Sequence, residues 1–257
     1  MIFGSTFVLP HRIDRSVPVF CSKGCVMTQD VLLDYLRKYV ASPKILSLDQ
    51  LSVSERQVLP ECWIDIISSE ASKRPKVALS YWAKYRGELE QVLEYLDSNL
   101  ISVDLVHHAY GFCLLYGIRS ADGSRVLYYE GRNPNSKQFN PVVLDVWESL
   151  PNKLKEFYDH LHNGWYYLAS GSMGLSPVED FFFLDDEEWG IVDELGKLPV
   201  SLKDTLAVYT NGMGGYLCLE LKGSESDCLL WWSSKPPKLN LDFWAVADAW
   251  TAMGFEG

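Results

Sequence analysis

The spacing of apolar residues changes character near residue 110, and that change limits the folds open to this chain. Before it, apolar residues recur at threes and fours. Leu32, Tyr35, Leu36, Tyr39 and Val40 make one such set. This is the spacing of an amphipathic helix, and Ser42-Pro43 stops it. Ser52 with Glu55 fits a capping box that opens a short helix ending near Pro60. Trp63 to Ser69 also reads as helical. Leu79, Trp82, Tyr85, Leu89, Val92 and Leu96 line one face of a longer helix expected from about Val77 to Ser98, with Lys84, Glu88, Glu90 and Glu94 on the solvent side. After the change, Phe112, Leu114, Tyr116 and Ile118 alternate. Ala121-Asp122-Gly123-Ser124 then turns the chain, and Val126 to Tyr129 returns. The Asp-Gly pair supplies the positive φ angles of a tight hairpin.

Later residues read helix, strands, helix. Leu154, Phe157, Tyr158 and Leu161 form an apolar face, and Asn163-Gly164 tolerates the left-handed conformation that ends a helix. Strands are expected at Trp165–Ala169, Leu206–Thr210, Tyr216–Leu221 and Cys228–Trp232. Asn211-Gly-Met-Gly-Gly215 joins two of them, and Pro236-Pro237 precedes a closing helix from Leu241 to Met253. Strands follow one another rather than alternating with helices, which predicts an α+β fold. Its centre is a mixed or antiparallel sheet with flanking helices, preceded by a mainly helical region carrying the hairpin at about 111–130. The breaker-rich run Gly131-Arg-Asn-Pro-Asn-Ser-Lys-Gln separates a region 1–135 from a domain 140–257.

Charge changes at the same place. Residues 1–140 hold 16 Lys/Arg against 15 Asp/Glu, a net of +1, while residues 141–257 hold 7 against 19, a net of −12, so the second part carries all of the total of −11. An acidic surface repels phosphate backbones and steers basic proteins, so a protein partner is expected and nucleic acid is not. No apolar run reaches the ~18 residues of a membrane helix. The stretch MIFGSTFVLPHRIDRS lacks the pattern of a secretion signal. The six cysteines are therefore expected to be reduced, in a cytoplasmic protein.

Catalytic signatures are weak. Cys21 and Cys25 with His11 lack the second ligand pair of a structural zinc site. His160 and His162, two apart on a helix, diverge. Gly212-Met-Gly214-Gly215 lacks the Lys and Ser/Thr of a phosphate loop and joins strand to strand. Gly171-Ser172-Met173-Gly174 lacks the context of a nucleophile elbow. Trp165-Tyr166-Tyr167 and Trp231-Trp232 could stack bases, but no basic groove accompanies them. An enzyme around His107, His108 and Cys113 would need those side chains to converge. No catalytic residue, cofactor or metal is therefore assigned. The densest chemistry is Asp185, Asp186, Glu187 and Glu188, followed by Asp193 and Glu194. Trp189, an aromatic read as exposed, sits beside them. These seven are the candidate partner-binding residues.

Residues 145–255 resemble the SUKH superfamily, which includes Smi/Knr-like regulators and bacterial immunity proteins. The resemblance rests on Leu150-Pro151 leading a helix that ends Leu161-His162-Asn163-Gly164. It continues in Gly174-Leu175-Ser176-Pro177-Val178-Glu179-Asp180, then Tyr209-Thr210-Asn211-Gly212 with the strand Gly215 to Leu221. It ends in the strand Cys228 to Trp232 and the helix containing Phe243, Trp244, Asp248 and Trp250. It implies a non-catalytic fold and a cognate toxin partner, secreted and often a nuclease, with a basic surface. The alternative it implies is a regulatory interaction module. Residues 1–140 carry no such resemblance.

Overall fold

The computed structural model describes residues 29–222 and 225–256. Cys21, Cys25 and His11, and the irregular stretch 1–26, lie outside them. Helix α1 (Gln29–Leu36) and strand β1 (Lys44–Leu46) come first. Four helices follow: α2 (Val53–Gln57), α3 (Glu61–Ser68), α4 (Arg74–Trp82) and α5 (Glu90–Asn99). Three long strands come next, β2 (Leu100–His108), β3 (Gly111–Arg119) and β4 (Val126–Arg132). Helices α6 (Pro141–Val146) and α7 (Asn152–His160) lead to β5 (Asn163–Tyr167), β6 (Ser172–Leu175) and β7 (Phe182–Phe183). The short α8 (Gly190–Leu195) precedes β8 (Thr205–Thr210), β9 (Gly215–Lys222), β10 (Glu225–Trp232) and β11 (Lys238–Leu241), and α9 (Phe243–Gly254) closes the fold.

The strands form one sheet in the order β1-β2-β3-β4-β5-β6-β8-β9-β10-β11, with β7 beside β8. Every pairing among the described residues is antiparallel. The fold is α+β, with its helices concentrated before the sheet, as the change of period implies. The expected hairpin forms, with Tyr116 opposite Tyr129, but of the Asp-Gly pair only Gly123 takes a positive φ, 69°. The Ser52 capping box also forms. Its Oγ accepts from the Glu55 amide at 3.2 Å, and the Glu55 carboxylate accepts from the Ser52 amide at 2.8 Å.

Two local readings are corrected. The helix expected over Val77–Ser98 is two helices, α4 and α5, separated by a 3-10 turn at Ala83–Tyr85. Gly87 lies in the gap, and α5 starts at a cap supplied from afar. Asp248, on α9 and 5 % exposed, accepts from the Gln91 amide at 3.0 Å and the Val92 amide at 2.9 Å. These are first-turn amides that α5 itself cannot satisfy. The second correction is β2, a strand that the sequence reading left out. It follows α5 with no breaker between them.

The sheet buries both faces near its centre. Leu114, Tyr116 and Ile118 of β3 face the main core with Trp63, Trp82, Leu96, Phe157 and Phe255. The intervening Cys113 and Leu115 face a smaller cluster under α1, with Leu32 and Leu36. Full burial of a side chain such as Phe157 or Leu114 contributes roughly 1.5–3 kcal/mol. The two regions separated by charge share this architecture: β4 pairs with β5, and the main core runs from Leu51 to Phe255. A third cluster, Leu184, Ile191, Ala207, Cys218, Leu229 and Trp231, lies on the opposite face toward the β10 end. It supports the acidic segment.

Candidate functional site

The acidic segment is built by a simple division of labour. Leu184 and Ile191 are buried in the third cluster. The residues between them are thereby forced outward, and Asp185, Asp186, Glu187 and Glu188 are all exposed, as are Asp193 and Glu194. The loop is pinned at two points. The Asp186 carboxylate accepts from the Phe183 amide at 2.9 Å, and the Trp189 indole N–H donates to the Leu184 carbonyl at 2.6 Å. None of the ion pairs among the described residues involves any of the six carboxylates. Their charge is not neutralised by an ion pair among the described residues.

Trp189 does not stand free, contrary to expectation. It is half-buried, stacked on Phe182 with 18° between ring planes, and edge-on to Tyr216 and Trp231. An indole of this size placed beside an apolar cluster gains more from burial than from water. Its N–H then needs an internal partner, and Leu184 provides it. The Tyr216 hydroxyl is held above its ordinary pKa, first by burial and then by Glu187. Trp189 therefore acts as the footing of the acidic segment.

The His107–His108–Cys113 group divides. His107 faces the main-core side, edge-on to Phe112, and burial lowers its pKa. His108 and Cys113 point to the other face and converge with Glu130, all three buried. His108 Nε2 lies 3.1 Å from a Glu130 carboxylate oxygen and 3.4 Å from Cys113 Sγ. His108 Nδ1 accepts from the Tyr110 amide at 3.2 Å. The other Glu130 oxygen accepts from Arg132 Nε at 3.1 Å and from the Tyr166 hydroxyl at 2.7 Å. Burial alone would raise the Glu130 carboxyl, but His108, Arg132 and Tyr166 outweigh it and hold it below its usual value.

This is not a nucleophilic relay. A Cys–His–acid relay uses opposite ring nitrogens for the thiol and the acid. Here one nitrogen faces both, while the second is occupied by a backbone amide. Burial also pushes the Cys113 thiol well above its ordinary value, so it stays protonated and a poor nucleophile. Sequence reasoning singled out His108 and Cys113 and missed Glu130, Arg132 and Tyr166. The available signal was period-two spacing: Glu130 and Arg132 share a face of β4, and β3 pairs place Cys113 opposite Arg132.

The remaining motifs are structural. His160 is exposed, whereas His162 is fully buried against Tyr116. Asn211-Gly-Met-Gly-Gly215 is a tight turn, the Asn211 side-chain Oδ1 accepting from the Met213 and Gly215 amides. Trp165, Tyr166 and Trp231 are buried, which leaves only Tyr167 and Trp232 partly exposed in the two aromatic runs. The cavity beside Trp82, Trp165 and Thr251 holds about 10 Å³, the space of one water. No family model, curated protein or solved structure matches the chain.

Proposed function

We propose that this chain is a non-enzymatic protein-binding module whose acidic face, Asp185 to Glu194, captures a basic partner. The observation that carries the reading is the set of six exposed carboxylates, in no ion pair among the described residues, on a segment held to the sheet by Trp189 and Leu184. A pinned acidic surface costs little ordering on association, and its field steers a basic partner. The chemistry elsewhere supports the same direction, since the thiol and imidazole that converge are buried and wrongly arranged for a relay. The likeness of residues 145–255 to the SUKH superfamily supplies the partner class: a cognate secreted toxin with a basic surface, neutralised by contact in the cytoplasm. No described helix is long and apolar enough to cross a membrane, which is compatible with that setting.

The test starts with co-purification from cells that also carry the neighbouring gene, followed by mass spectrometry and a growth assay of that partner alone. A partner toxic alone and harmless with this chain supports immunity. A non-toxic partner favours the regulatory reading. Charge reversal of Asp186, Glu187 and Glu188 to Lys should slow association about 10- to 100-fold at low salt, with the gap closing as salt rises. Unchanged affinity at low salt would remove the acidic face from the interface.

A further inference from the structure

We propose that His108, Cys113 and Glu130 form a binding site for a divalent transition-metal ion, with Zn²⁺ the best match, which clips β2, β3 and β4 together. Each residue comes from a different neighbouring strand or strand end, and each offers a donor atom: imidazole Nε2, thiol Sγ and carboxylate oxygen. The three donors all lie within 4.8 Å of one another, and no other group of three His, Cys, Asp or Glu donors converges in this way among the described residues. Donors bound to zinc at about 2.0–2.3 Å stand roughly 3.3–3.7 Å apart at tetrahedral angles. The observed spacings of 3.1 Å and 3.4 Å are those of such a set slightly collapsed onto itself.

The surroundings of Glu130 suit a one-oxygen ligand. Arg132 and Tyr166 occupy one carboxylate oxygen, which leaves the oxygen facing His108 for the ion. Hydrogen bonds of this kind fix the orientation of ligating carboxylates. A thiolate and a carboxylate together cancel the two charges of the ion. Arg132 is then the excess charge, and its side chain is 15 % exposed, with the guanidinium over the Tyr110 ring at 4.5 Å. The mixed N, S and O donors select against Mg²⁺ and Ca²⁺, which take oxygen ligands.

Binding requires two local changes. The Cys113 thiol releases its proton. The His108 proton passes from Nε2 to Nδ1, so the Tyr110 amide that now points at Nδ1 must turn away. Tyr110 is 66 % exposed in the turn between β2 and β3, next to Gly111 at φ 94°.

The full chain, stripped with a chelator, is titrated with Co²⁺ as an optical probe and then with Zn²⁺ in competition. The expected result is one equivalent of Co²⁺, with a thiolate-to-cobalt charge-transfer band that Zn²⁺ removes. Cys113→Ser should lose the band, Cys62→Ser should keep it, and Tyr166→Phe should weaken binding about 10-fold while keeping the stoichiometry. A folded wild-type chain without the band, or a band that survives in Cys113→Ser, overturns the proposal. If Cys113→Ser does not fold, zinc-edge X-ray absorption on the wild-type chain decides. One sulfur at about 2.3 Å supports the site, and none or two overturns it.

Discussion

His162 shows how one buried imidazole ties the core to pH. Its Nε2 lies 2.7 Å from the Tyr116 hydroxyl, which also accepts from the Trp82 indole at 3.2 Å. Desolvation lowers its pKa to about 3. In an unfolded chain the same ring titrates near 6.5, so between those values the unfolded state binds a proton that the folded state refuses. Stability is therefore unaffected by this group above about pH 6.5. It falls by about 1.4 kcal/mol per pH unit as the pH drops from there toward 3. His162→Gln, neutral throughout, should lower stability at pH 7.5 but lose less on going to pH 5, by about 2 kcal/mol. Urea midpoints at the two pH values measure this, and equal losses in both proteins would refute it. The sequence places His160 and His162 together at the end of one helix. His162 escapes that pattern because it lies two residues beyond α7, where the chain has already turned inward, beside Gly131. A Cβ at Gly131 would sit 2.5 Å from the His162 ring, a constraint set by tertiary packing.

Among the elements, the start of α5 depends on a residue from the other end of the fold. Asp248→Ala leaves the Gln91 and Val92 amides without their acceptor and should cost about 2–3 kcal/mol. Asp248→Asn, which keeps one acceptor oxygen, should cost about half as much. Chemical denaturation of the three proteins orders them, and an alanine variant as stable as the wild type would show that the cap is dispensable. The same residue explains what sequence could not reveal here. The Ser52 box is local, three residues long, and was legible. The break between α4 and α5 was hidden because the apolar stripe from Leu79 to Leu96 continues across it, and Trp82, Tyr85, Leu89, Val92 and Leu96 are indeed buried. Period alone does not record a helix that restarts on the same face. Strand β2 was missed for a related reason: the helix ending at Asn99 passes into Leu100 with no Gly or Pro between them. The acidic run, by contrast, is local and was legible, while the burial of Trp189 depends on Tyr216 and Trp231, far along the chain.

On the scale of the molecule, charge and architecture divide the chain differently. The net charge changes near residue 140, but the sheet runs through it. Trp165 of β5 packs on Tyr129 of β4 at 4.5 Å between ring centroids. A fragment 140–257 would expose that ring and leave β5 as an edge strand paired only with β6. It is expected to lack a native-like near-ultraviolet circular dichroism spectrum, whereas the full chain should unfold in one transition by both tryptophan fluorescence and far-ultraviolet dichroism. A fragment with dispersed, native-like signals would show that the shared core is not required. The Asp248 cap also has a consequence for the nascent chain. Val92 and the carboxylate that caps it are 156 residues apart, about 8 to 30 seconds of synthesis at 5–20 residues per second. For that interval the early helices and β2–β4 lack the part of their shared core that Phe157, Trp165 and Phe255 supply, so the ribosome-bound intermediate exposes apolar surface to chaperones and to aggregation.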